Sequence, residues 1–120
     1  MGSKRDSSRR RFPGAETIRA SGLSLDTGYS LLADETRRRV LEVLDEGDRT
    51  TVAGLAERLE ADGAPGLDAR RASTALVHVH LPKLGDAGVI EYDDQTGEVA
   101  LSNTGRRLLR PGDGRTAGTA

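Results

Sequence analysis

Three stretches of the chain place apolar residues at the spacing of a buried helix face. In 34–46, Arg37, Val40, Leu41 and Leu44 fall at i, i+3, i+4 and i+7, and the last three form an apolar stripe. In 52–62, Val52, Leu55, Ala56 and Leu59 repeat that spacing. In 69–84, Ser73, Val77, Leu81 and Leu84 share one face of a regular helix, which is expected to point to the core. Each stretch follows a residue able to accept from the free amides of a first turn: Asp34, Thr51 and Asp68. Each ends at glycine: Gly47, Gly63, and the pair Gly85 and Gly88. Pro82 has no amide to donate to the carbonyl of His78, so a kink is expected inside the third helix. Leu31 and Leu32 either extend the first helix backwards or form a turn of their own.

After Gly88 the period changes. Residues 89–93 and 98–102 alternate as short strands, and Asp94-Gln95-Thr96-Gly97 reads as the hairpin turn between them. Asn103 is expected to cap a last helix over 104–109. Three amphipathic stripes cannot be buried singly, so they must share one core, with the hairpin closing its open side. The predicted fold is mainly α with a small β-hairpin. Three core helices and a wing, in this order, make a winged helix-turn-helix. The domain is expected over 29–110. It is flanked by a disordered basic arm, 1–24, rich in Ser, Gly and Arg, and by a disordered tail, 111–120, with Pro111, Gly112, Gly114 and Gly118.

Composition narrows the function classes. With 35% hydrophobic and 2% aromatic residues, the core is small and aliphatic and leaves little room for a deep, water-excluding pocket. There is no cysteine, which excludes disulfides and thiol chemistry and suits a reducing cytoplasm. No apolar run approaches the roughly 20 residues of a membrane helix, and no apolar segment follows the N-terminal arginines as a secretory signal requires. No nucleophile–base–orienter set or phosphate-binding glycine loop is present, so no enzyme activity and no cofactor are expected. His78 and His80 alternate on a helix and point about 200° apart, so no metal site is expected there.

The net charge of −1 hides an asymmetry. Residues 1–24 carry Lys4, Arg5, Arg9, Arg10, Arg11 and Arg19 against Asp6 and Glu16, so the rest of the chain is acidic. The arm has the charge to bind phosphates or simply to stay solvated.

Several segments resemble a known family. Leu32-Ala33-Asp34-Glu35-Thr36-Arg37-Arg38-Arg39-Val40-Leu41 resembles the opening helix of ArsR-type winged-helix repressors, and Val52-Ala53-Gly54-Leu55-Ala56-Glu57-Arg58-Leu59 their second helix. His80-Leu81-Pro82-Lys83-Leu84-Gly85-Asp86-Ala87-Gly88-Val89-Ile90 resembles the end of their recognition helix running into the wing. Leu101-Ser102-Asn103-Thr104-Gly105-Arg106 resembles the junction between wing and closing helix. His80-Leu81-Pro82-Lys83-Leu84 looks closer still to a haloarchaeal winged-helix domain family with no assigned chemistry.

The resemblance implies a DNA-binding transcriptional regulator whose third helix, about 69–84, enters the major groove of double-stranded DNA. With Val77 set inward, the expected DNA contacts are Arg70, Arg71, Thr74 and His78, while His80 lies close to the core. Arg37 is expected at the core edge, with Arg38 and Arg39 solvated. Reading two half-sites implies a homodimer, for which Leu31, Leu32, Leu108 and Leu109 are the candidate contacts. No small-molecule effector is inferable. A second class stays open, a non-catalytic protein–protein adaptor on the same scaffold. It is favoured by the acidic body, by Asp93, Asp94 and Glu98 on the wing, and by Leu76 and Val79 on the third helix.

Overall fold

The computed structural model describes residues 13–47, 49–63 and 68–109. In chain order the elements are α1 (Ala15–Ser21), α2 (Leu25–Leu32), α3 (Glu35–Glu46), β1 (Arg49–Thr51), α4 (Val52–Ala61) and α5 (Ala69–Ala75). A π-helical turn, Leu76–His80, carries α5 directly into α6 (Leu81–Asp86). Then follow β2 (Ile90–Asp93), β3 (Glu98–Leu101) and α7 (Asn103–Leu109). The result is a mainly helical fold with a small three-stranded antiparallel sheet of order β1-β3-β2.

The helix starts follow the expected chemistry. Asp34 accepts from the amides of Thr36 and Arg37 at 2.8 and 3.2 Å, Thr51 from Gly54 at 3.0 Å, and Asp68 from Arg71 at 2.9 Å. The last helix departs from expectation. Its cap is Ser102, whose Oγ accepts from the Gly105 amide at 3.0 Å and donates to the Gly88 carbonyl at 2.5 Å. Asn103 is already the first helical residue. In the hairpin, Asp93 Oδ1 accepts from the amides of Gln95 and Thr96, and Gly97 takes the positive φ of 80° that closes the turn.

β1 was not expected from the sequence. It has no alternating apolar pattern, and only Thr50 of its three residues is half-buried. It exists because β3 offers it a partner: Arg49 pairs with Ala100, Thr50 with Val99 and Thr51 with Glu98. An Arg49–Glu98 ion pair at 3.2 Å lies on that edge.

The N-terminal flank also departs from expectation. Residues 15–21, read as part of a disordered arm, form α1, which ends at Gly22 with φ 100°. Ile18 is fully buried in the common core. Its seat is Gly28 in α2, where any β-carbon would collide with the Ile18 side chain. α1 packs on both α2 and α7. One well-placed isoleucine outweighs the polar composition of the segment. Residues 1–12 and 110–120, and with them half of the arm and the whole tail, lie outside the described residues.

The core gathers Ile18, Leu31, Leu32, Val40, Leu41, Leu44, Leu55, Leu59, Leu76, Leu81, Leu84, Val89, Ile90, Val99, Leu101 and Leu108. The α3 and α4 stripes lie where the periodicity put them. The long helix does not follow its regular period. Ser73 is half-buried and Val77 is 38% exposed, whereas Ala72 and Leu76 are buried with Leu81 and Leu84. The π turn explains the change. The Leu81 amide donates to the Leu76 carbonyl, five residues back. One extra residue in a turn advances the face by about 100°. Ala72 and Leu76 before the turn are thereby brought into line with Leu81 and Leu84 after it. The distortion sits just before Pro82, whose missing amide already interrupts the α ladder.

Candidate nucleic-acid interface

The four residues expected to touch DNA lie on the long helix and are all exposed: Arg70, Arg71, Thr74 and His78. With Ala72 and Leu76 inward, they occupy the opposite side of α5 and the π turn. Val77 and Val79, 38% and 51% exposed, precede and follow His78 in the π turn. Leu76, expected outward beside Val79, is instead wholly buried. Thr74 Oγ1 donates to the Arg70 carbonyl at 3.1 Å, so its hydroxyl is engaged along the helix.

Charge sets this helix apart. From residue 69 to residue 85 there is no aspartate or glutamate, in a chain with 19 acidic residues. Over the same span lie Arg70, Arg71, His78 and Lys83. The Asp68 carboxylate just before it caps the helix. At the far end, Lys83 borders an open groove together with Asp26 and Asp86, so positive charge concentrates at the first turn. Taken singly, the arginines carry little weight. The acid-free run around them was equally readable and is the stronger signal.

The neighbouring surfaces are different. α4 exposes Glu57 and Glu60 beside Arg58. Arg58 bonds Glu46 at 2.7 Å and lies 3.7 Å from Asp62, which also pairs with Arg39 at 3.3 Å, so these charges tie α3 to α4. Arg39, expected to be solvated, is thus an ion-pair partner. Arg38, also expected to be solvated, donates to the Leu32 carbonyl at 2.7 Å. The hairpin exposes Glu91, Asp93, Asp94 and Glu98, with Asp93 also holding the turn.

Behind the exposed face lies a polar cluster that the sequence only hinted at. Arg37 is buried, with Nε on the Leu31 carbonyl at 3.0 Å, Nη2 on the Ser30 carbonyl at 3.0 Å and Nη1 at 3.2 Å from His80 Nδ1. Its partners are therefore the α2 C-terminus and a histidine of the π turn. Burial pushes His80 below the ordinary imidazole value of 6.5, Asp34 pulls the other way, and Arg37 adds to the lowering. A neutral ring accepting at Nδ1 carries its proton at Nε2. Burial alone would raise the Asp34 carboxyl. The amides of Arg37 and Thr36, with the Arg37 charge and the His80 ring once it is protonated at acid pH, bring it below 3.8.

Of the four leucines expected at a dimer contact, Leu31, Leu32 and Leu108 are buried in the chain's own core, and Leu109 is partly buried against it. The apolar surface of Leu31, Leu32 and Leu108 is consumed by folding, and only Leu109 keeps part of its side chain at the surface. Among the described residues no cluster of His, Asp or Glu is arranged to hold a metal ion, and no helix is long and apolar enough to cross a membrane.

A family model described as Domain of unknown function (DUF7344) matches residues 29–100. The chain belongs to this family. The DUF7344 span runs from α2 through β3 and includes the whole long helix, but leaves out α1 and α7. No curated protein and no solved structure gave a significant match.

Proposed function

We propose that this DUF7344 protein is a DNA-binding regulator built on a winged-helix scaffold, with the long helix as its reader. One observation carries the reading: on an acidic body, the exposed side of 69–85 is free of carboxylates and carries Arg70, Arg71 and His78. The element order supports it. Helix, short strand, helix, long helix and hairpin, with the first strand closing on the third, is the arrangement expected of a helix-turn-helix followed by a wing. Arg70 and Arg71 sit in the first turn, where a reader helix approaches base edges and phosphates. The acidic hairpin takes no part, because its carboxylates would meet phosphate repulsion. Two copies on adjacent half-sites would supply affinity, and the basic residues of 1–12 would add phosphate contacts.

The test is fluorescence anisotropy on labelled duplex DNA at several salt concentrations. Full-length protein is compared with the Arg70→Ala/Arg71→Ala double variant and with protein lacking residues 1–12. Binding that weakens in the double variant, with a salt slope shallower by about 2, supports the reading. A second reading, a protein–protein adaptor, is favoured by Val77 and Val79, two exposed apolar side chains of the π turn. It prevails when wild-type protein binds no duplex even at low salt.

A further inference from the structure

We propose that Val77 and Thr74 form a methyl-reading pair that selects thymine within the DNA site. The proposal rests on the DNA-binding reading above and adds the base class to it. Val77 is exposed because the π turn assigns the inward position to Leu76. Three residues before it, Thr74 is also exposed, with its hydroxyl turned back onto the Arg70 carbonyl at 3.1 Å. The side-chain group left to face outward is its methyl. Residues three apart are neighbours on a helix surface, so an apolar strip of two branched side chains runs between Arg70 and His78.

The occupant follows from charge and chemistry. Arg70 and Arg71 border the strip, and no carboxylate lies between residues 69 and 85, which suits a polyanion rather than an acidic or apolar protein surface. In the major groove the base-edge features are hydrogen-bond donors and acceptors, apart from the 5-methyl of thymine and the much smaller C5–H of cytosine. A donor or acceptor pressed against Val77 would lose water and gain no partner. A thymine methyl loses nothing there and is removed from water. The valine therefore both favours thymine and disfavours the polar edges of the other bases.

Duplexes bound by the full-length protein are first selected from a random library, and each thymine is then replaced by uracil. That change deletes one methyl and keeps all hydrogen-bonding groups. Wild-type affinity should fall about fourfold at one or two positions, the worth of one buried methyl. Val77→Ala, which alters only an exposed side chain and whose fold is checked by circular dichroism, should lose most of that sensitivity while keeping its salt slope. Retained DNA binding with every uracil substitution neutral overturns the methyl-reading proposal alone. Equal uracil sensitivity in wild type and Val77→Ala does the same. Absence of duplex binding at any salt overturns both this proposal and the reading beneath it.

Discussion

Arg37 Nη1 lies 3.2 Å from Nδ1 of His80, and this contact joins the start of α3 to the π turn of the long helix. The same guanidinium holds the Ser30 and Leu31 carbonyls, which close α2. Three elements thus meet at one planar, five-donor group. A lysine, with a single ammonium and no fork, cannot reproduce these three bonds together. Arg37→Lys should lower unfolding free energy by about 2–3 kcal/mol in urea melts. A loss no larger than that of an ordinary surface substitution would show that the cluster is incidental.

The same contact sets a pH dependence. Folded His80 is held neutral, with its proton affinity below the ordinary 6.5, while the unfolded chain binds a proton near that value. Stability from this site is complete above about pH 6.5 and declines as pH falls below it, because the unfolded state then binds more protons. Asp34 contributes only further down, losing its share as pH falls through its lowered value under 3.8. Denaturant melts between pH 7.5 and 5 should show the first decline, and His80→Gln, which keeps an acceptor and removes the titration, should flatten it.

Adjacent residues on the long helix should respond oppositely to truncation. Leu76→Ala removes a wholly buried side chain and should cost about 2–5 kcal/mol. Val77→Ala should stay within about 0.5 kcal/mol of wild type. Thermal melts of the two variants decide it. A regular α-helix, with Val77 inward, reverses the order.

Two glycine-to-alanine changes should also differ in sign. At Gly85, in α6, an added β-carbon meets open space, so Ala should stabilise by about 0.5–1 kcal/mol through helix propensity. At Gly28, inside α2, the same gain is overridden by collision with Ile18, and Ala should destabilise by about 1–3 kcal/mol. Equal stabilisation at both positions would mean that α1 does not occupy its seat.

Most of the helical frame could be read from the sequence because it obeys short-range rules. Asp34, Thr51 and Asp68 are caps by chemistry, and the stripes of α3 and α4 follow a strict 3.6-residue period. The errors arose where distant contacts overrule local pattern. The regular period points Val77 inward because no periodicity argument anticipates an extra residue in a turn, although Pro82 marks the region as irregular. β1 has no signature of its own and exists through β3. Ile18 sits in a segment whose average composition suggests a solvated coil, and its burial against Gly28, with α1 packed on α2 and α7, depends on residues distant in sequence. In the candidate interface, Arg70, Arg71, Thr74 and His78 were found singly. The outward turn of Val77 depends on the π turn and could not be.

The Ile18–Gly28 seat has a practical consequence for work on this family. Residues 29–100 omit both Ile18 and Leu108, two side chains with no solvent exposure. A recombinant fragment cut to that span would lose both plugs and leave Leu31 and its neighbours facing water. Such a fragment should express poorly or self-associate, and a negative DNA-binding result obtained with it would report on damaged packing rather than on the proposed role of the long helix.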